Sequence, residues 1–286
     1  RSYFQGLNFL LDEQPDKALA SLSDMAHHAD IHAVELNFAL GRLFRRQGEL
    51  ERAIRIHAAL LERADLETAQ QHWVWYELGQ DYLKAGLLDR AEQQFQRLLS
   101  TPQATVAQEA LLQLYQIQQA WPQAIDMANA LQSTGASYQT HIAHFYCEIA
   151  SQALLQQAWS EAEKMLQAAL HVQPNSARVH GLQGQCAQAQ GQYAAAITAW
   201  EYVAEQTPHY RHWVVAELWS AYQAQHQVTQ GLTRLQQWAQ QETSQEVLAV
   251  AYQATQQQLG ARAAYEWLQQ QFNDLDVQFI DIDNPA

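Results

Sequence analysis

Positive charge is what this 286-residue chain has least of. It carries 16 Lys and Arg against 30 Asp and Glu, a formal net charge of −14. A sequence pI near 5.2 argues against non-specific nucleic-acid binding, which needs a basic surface. Cysteine is almost missing too. Cys147 and Cys186 lie 39 residues apart, a usage that fits buried thiols in a reducing compartment and not a disulfide framework. No run of eighteen apolar residues is present, so nothing in the sequence reads as a membrane span, and no signal-peptide pattern opens it. Catalytic signatures are lacking as well: no G-x-x-x-x-G-K-[ST], G-x-S-x-G, H-E-x-x-H or paired C-x-x-C occurs. Asp81, Asp89 and Glu92 read as helix-surface carboxylates. These absences lead us to expect a non-enzyme that works through its surfaces, with no cofactor.

What the chain does have is a repeat. Trp75, Leu78, Gly79 and Tyr82 read W-x-x-L-G-x-x-Y, and Ala91 and Phe95 follow as A-x-x-x-F, the tetratricopeptide pattern of a helix–turn–helix unit. Trp75, Leu78 and Tyr82 share one face of a first helix. Gly79 has no Cβ, so a second helix can approach closely, and Gly86 supplies the turn. The small residue of the second helix recurs as Ala18, Ala53, Ala91, Ala124, Ala162, Ala196, Gly231 and Ala263, at intervals of 35, 38, 33, 38, 34, 35 and 32 residues. Gly6, Gly41, Gly79 and Gly184 repeat the first-helix glycine; Gly48, Gly86 and Gly191 repeat the turn. Leu112, Trp219 and Ala251 replace the first-helix glycine in degenerate units. The reading is all-α: a right-handed tetratricopeptide-repeat solenoid of about eight helical hairpins over residues 1–272. Residues 273–286 form a tail or linker with strand-like alternation from 277 to 282. The chain starts at Arg1 inside a repeat, which leads us to expect a piece lacking its native N-terminus.

Arginines concentrate locally despite the acidic whole. Arg42, Arg45, Arg46, Arg52 and Arg55 fall within fourteen residues, next to His57. Phe38, Arg42 and Arg45 share the face that the repeat register turns into the concave groove. Two readings stand: solvated charge paired with Glu49, Glu51 and Glu62, or a basic patch for an acidic partner. Trp73, Tyr76 and Gln80 face the same side, with the aromatics either exposed anchors or partly buried. His141, His144 and Cys147 share a helix face without a fourth ligand, and His27–His28 and His209/His212 do no better, so no metal site is expected. Where a carboxylate clamp would need Lys, Asn and Arg, the chain has Tyr3, Phe38 and Tyr76. Trp121-Pro122 opens one second helix, Pro174 and Pro208 close two others, and Asn175 or Ser176 caps a first helix.

Several segments exceed what the generic repeat demands. Gly6-Leu-Asn-Phe-Leu-Leu, Glu51-Arg-Ala-Ile-Arg-Ile-His57, Leu78-Gly-Gln-Asp-Tyr82, Ala85-Gly-Leu-Leu-Asp-Arg-Ala-Glu92, Ala124-Ile-Asp126, Ile142-Ala-His-Phe-Tyr-Cys-Glu148 and Asn175-Ser-Ala-Arg-Val179 run in order through units one to six. Together they resemble the lipopolysaccharide assembly protein B family of Gram-negative bacteria; the last two units resemble it weakly. The resemblance implies an adaptor with its repeats on the cytoplasmic face of the inner membrane, held by an N-terminal helix. It implies three partners: the deacetylase of the lipid A pathway, a membrane-bound ATP-dependent zinc protease that degrades it, and an inner-membrane regulator sensing lipopolysaccharide. A scaffold organising an envelope complex without proteolysis is the alternative. The family's membrane helix is not in this sequence, and its zinc ribbon, with two C-x-x-C pairs, is not present by Ala286. The expected recognition surface is Arg42, Arg45, Arg46, Arg52, Arg55, His57, Trp73, Tyr76 and His144. Reversing Arg42 and Arg45 is expected to weaken binding with helicity intact, and self-association through the terminal repeats fits an opened solenoid.

Overall fold

The computed structural model describes residues 33–132, 135, 137–241 and 244–272. The first predicted hairpin (1–33, with Gly6, Ala18, the Gln14–Asp16 turn and His27–His28), apart from its last residue Ala33, and the tail 273–286 lie outside the described residues. Within them are fourteen α-helices and no strand: α1 (Ala33–Gln47), α2 (Leu50–Leu61), α3 (Thr68–Lys84), α4 (Leu88–Gln96), α5 (Ala104–Ile117), α6 (Trp121–Gln132), α7 (Gln139–Leu155), α8 (Trp159–Val172), α9 (Ala177–Ala189), α10 (Tyr193–Gln206), α11 (Arg211–Ala224), α12 (Val228–Gln241), α13 (Gln245–Leu259) and α14 (Ala261–Phe272). They pair in order into seven hairpins, the second to eighth units of the predicted array.

Each hairpin is built as its sequence requires. A Cβ on Gly79 would lie 2.4 Å from Phe95 Cε1, one on Gly41 2.3 Å from His57 Nε2, and one on Gly184 2.2 Å from Trp200 Nε1. The missing side chain is the space that a second-helix ring occupies. Ala53, Ala91, Ala124, Ala162 and Ala196 are all fully buried. Gly231 lies against the Tyr222 ring, with an added Cβ 2.7 Å away. The last hairpin departs from the expected register. Ala264 is the buried small residue and Ala263 is only half-buried, because a helix face is set by which side of the turn packs inward, not by the average repeat length.

The turns recur even where glycine does not. Positive φ occurs at Gly48, Gly86 and Gly191 and also at Gln119, Gln157 and His226, so the inner turns of six successive hairpins each use one left-handed residue. Each is followed by a backbone bond from the next amide to the carbonyl five residues back, such as Glu49 N–H to Phe44 O at 2.9 Å and Ala120 N–H to Tyr115 O at 2.8 Å. That bond closes the end of the first helix and starts the second. Pro122 sits in the first turn of α6, Pro174 follows α8, and Pro208 opens a short 3₁₀ turn after α10. The cap of α9 is Ser176, accepting from Val179 N–H; Asn175 instead accepts from the Tyr202 hydroxyl.

The chain divides into two compact units, residues 1–142 and 143–286. The first unit's core includes Leu36, Leu40 and Phe44 with Ala53, and Val34, Leu60, Val74 and Leu78. In the second, Cys147, Leu166, Val179 and Cys186 form one cluster and Trp200, Leu218, Tyr222, Leu235 and Trp238 another. Both cysteines are free and buried, and burial pushes the Cys147 thiol up to about 11.

Candidate functional site: a groove in the first unit

The first unit buries two carboxylates on α3, one of which, Asp81, the sequence suggested was surface. Glu77 and Asp81 sit one turn apart on α3, 1% and 0% exposed. Arginines of the preceding hairpin reach them. Arg42 Nε donates to Glu77 Oε1 at 2.7 Å; Arg45 donates to Glu77 Oε2 and to Asp81 Oδ1, both at 2.7 Å, and to the Glu77 carbonyl at 3.2 Å. His57 Nδ1 lies 2.5 Å from Asp81 Oδ2. Burial alone would push the Glu77 carboxyl up; the hydrogen bonds and charges of Arg42 and Arg45 more than offset it, and the group is held below the ordinary carboxylate range. Arg45 is raised in turn, its two carboxylate partners outweighing burial.

This network corrects four expectations. His57 is fully buried beneath Gly41, its Nε2 without a hydrogen-bond partner among the described residues, so it is part of the core and presents no recognition surface. Asp81 is core, not helix surface. Arg42 and Arg45 pair with Glu77 and Asp81 of the next hairpin; of the expected partners, Glu49 holds Arg52 at 2.8 Å and the Glu51 carbonyl accepts from Arg55 at 3.4 Å. Reversing Arg42 and Arg45 would therefore set new carboxylates against buried ones and loosen the packing of the two hairpins, so that substitution does not isolate binding.

What stays open to a partner lies beside the network. Arg45, Arg46, Gln80, Leu83, Lys84, Gln113 and Ile117, from α1, α3 and α5, line a groove of about 520 Å³. Arg46 and Lys84 are exposed, and neither makes an ion pair or side-chain hydrogen bond among the described residues. Ile117 is 55% exposed. The stripe continues along α3. Tyr76 and Trp73 stack edge to face at 5.7 Å, Trp73 39% exposed and Tyr76 half-buried over Phe95. Burial, then the Glu77 charge, raises the Tyr76 hydroxyl. Trp73, Tyr76, Gln80 and Lys84 thus share one helical stripe. Arg52 and Arg55 lie off it, around a separate shallow cleft with Gly48 and Glu49.

The repeat geometry and the sequence comparisons agree. A tetratricopeptide-repeat family model matches residues 148–210. Lipopolysaccharide assembly protein B of Escherichia coli strain K12 is 41% identical over 208 residues, 72% of this chain and 53% of that protein. The protein of the same name from Haemophilus influenzae is 33% identical over 237 residues, 80% of this chain and 60% of its own.

The chain is a tetratricopeptide-repeat solenoid similar to lipopolysaccharide assembly protein B.

It spans about half the length of the Escherichia coli relative it matches. A crystal structure of the C-terminal part of a tetratricopeptide-repeat protein from Cytophaga hutchinsonii superposes with a TM-score of 0.50 at 11% identity, covering 93% of this chain and 99% of that one; that likeness concerns the fold alone.

His144, the remaining expected site residue, belongs to the second unit of this lipopolysaccharide assembly protein B relative. It is exposed on α7 and contacts Arg178 of α9, which also donates to Glu148 at 2.5 Å. The cluster is an ion pair between successive first helices, built like Arg42–Glu77 but nearer solvent. His144 is thereby engaged within the solenoid; among the described residues no three His, Cys, Asp or Glu side chains gather as metal ligands. Lys84, Gln113 and Ile117 were missed by sequence reasoning. The signal for Lys84 was there: it lies eleven residues after Trp73 and four after Gln80, on the stripe already assigned to the groove. Burial of His57 was legible too, since it follows Ala53 at the spacing by which Phe95 follows Ala91 and Trp200 follows Ala196.

Proposed function

We propose that this chain is a non-catalytic adaptor in lipopolysaccharide assembly that holds a client protein in the groove of its first unit. The observation that carries the reading is the exposed stripe ending in Arg46 and Lys84, two cations without partners among the described residues of an acidic protein. A frame of helices with unspent donors at its surface suits binding, and function lies in what such a surface holds. In its specific form the client is the lipid A pathway deacetylase, presented to a membrane-bound ATP-dependent zinc protease at the cytoplasmic face of the inner membrane, under an inner-membrane regulator sensing lipopolysaccharide. That form follows from the similarity to lipopolysaccharide assembly protein B. The physical mechanism is effective concentration: a tethered client meets the protease more often without new chemistry.

The test is to titrate the deacetylase into residues 1–286 by calorimetry at low and moderate salt. Binding that weakens with salt is expected, because exposed charges are screened. Cells lacking the protein should show a longer deacetylase half-life. No binding at tens of micromolar together with an unchanged half-life would overturn the client assignment.

A further inference from the structure

We propose that the groove reads its partner in a fixed direction: an extended segment with an aromatic or large aliphatic residue at the Trp73–Tyr76 end and two carboxylates at the Arg46–Lys84 end. The inference rests on the adaptor reading and adds the chemistry and polarity of the segment bound.

Three observations carry it. First, the cations are sorted. The Arg45 guanidinium is committed to Glu77 and Asp81, so it stands as a fixed wall of the groove. Arg46 and Lys84, on facing helices α1 and α3, are exposed and unpaired among the described residues at that same end. Their charge complements an acidic ligand and, on a chain of net charge −14, would otherwise be expected to find an internal carboxylate. Second, the far end of the stripe is aromatic. Trp73 stands half in solvent against the edge of Tyr76, and Tyr76 is held from below by Phe95, a braced platform of the kind that anchors a buried apolar side chain. Third, the two ends are separated by polar, uncharged Gln80, with Gln113 across the groove; amides there can meet the main chain of an extended peptide without demanding a charge.

Trp73 and Lys84 are eleven positions apart, roughly 16 Å at the helical rise. An extended segment covers that distance in about five residues. The register expected is therefore an aromatic residue followed about five positions on by paired Asp or Glu. The order is set by the groove and is not interchangeable within one binding pose. A single carboxylate is not enough, because Arg46 and Lys84 belong to different helices and one group would leave the other cation unmatched.

The experiment uses fluorescein-labelled dodecapeptides and the full 286-residue chain in an anisotropy titration. The parent peptide carries Phe and, about five residues on, Asp-Glu. Its comparisons replace Phe by Ala, replace Asp-Glu by Asn-Gln, or shorten the spacing by three. The parent is expected to bind in a salt-dependent way. Each change should weaken it about tenfold, as should Trp73→Ala and the double variant Arg46→Glu/Lys84→Glu. Trp73, Arg46 and Lys84 are surface residues, and unchanged circular dichroism will confirm that the variants fold. Equal binding of parent and shortened peptides, or unaltered parent binding by Arg46→Glu/Lys84→Glu, would overturn the inference, as would absence of parent binding at 100 μM (a concentration set as the limit of the assay). Failure here is separable from failure of the adaptor reading. If the deacetylase binds the wild-type chain and the double variant equally, the adaptor stands and the groove assignment falls. If the peptide binds as expected but the deacetylase does not, the groove chemistry stands and the client is another protein.

Discussion

At the scale of single residues, glycine and its substitutes decide the local outcome. Gly79 and Gly184 are space for Phe95 and Trp200, and no rotamer change of the glycine itself can relieve an added methyl. Gly79→Ala is expected to cost about 1–3 kcal/mol, and Gly184→Ala as much, because Trp200 would also be driven off its 3.0 Å bond to the Gly181 carbonyl. Thermal denaturation of the two variants checks this. The opposite sign is expected at the turns. Gln119, Gln157 and His226 hold left-handed φ values of 56°, 59° and 59°, which glycine adopts without the Cβ penalty. Glycine also loosens the unfolded chain, so the net gain is about 0.5 kcal/mol each, the difference of those two effects. The triple glycine variant should melt a few degrees higher; a lower melting temperature would show that these side chains contribute more than their backbone costs.

Between elements, the contact of the first two described hairpins depends on charge buried in an apolar setting. Arg45 and Arg42 look alike in sequence but not in weight. The Arg45 side chain is 20% exposed and serves two buried carboxylates; Arg42 is 54% exposed and serves one. Removing a partner from a buried carboxylate is costly, whereas an exposed ion pair contributes little. Arg45→Met is expected to destabilise by about 3 kcal/mol and Arg42→Met by no more than about 1 kcal/mol, measured by urea denaturation. The pH dependence follows from the direction of the Glu77 shift. Its folded pKa is depressed, so its contribution is present above the unfolded carboxylate pKa, near 4.5, and is lost as pH falls through the folded value. Glu77→Gln should be clearly less stable than wild type at pH 7, with the gap closing below about pH 4.5. A gap that stays constant down to pH 3 would mean the carboxylate charge is not what binds the hairpins.

For the molecule as a whole, the thiols report integrity. Both cysteines are buried, and the Cys147 thiol, pushed to about 11 by burial, stays neutral at pH 8. The thiolate is the reactive form. Native protein at pH 8 should therefore resist a thiol-specific reagent, and both thiols should react once guanidinium unfolds the chain. Fast labelling of one thiol in native protein would reveal local opening of the second unit.

The sequence by itself determined the all-α repeat, the described hairpins and the places of their buried small residues in all but the last, where Ala264 and not Ala263 is buried. These features are short-range: a period near 34 residues, a small residue opposite a large one and the turn glycines Gly48, Gly86 and Gly191 declare themselves in the local pattern, whereas the left-handed turns at Gln119, Gln157 and His226 do not. It also marked Trp73, Tyr76 and Gln80 as groove-facing, because a helical face follows from spacing alone, but it gave the same face to Phe38, Arg42 and Arg45 and not to Arg46. Only the tertiary structure decided which charges are free. Arg42, Arg45 and Arg46 are neighbours of one type on one helix, and what separates them is a pair of carboxylates more than thirty residues away on the next hairpin. Asp81 read as a surface group until packing brought Arg45 and His57 over it, with Arg42 and Arg45 over Glu77 one turn away. Charge pairing across hairpins depends on the distance between helices, and a repeat pattern does not encode that distance.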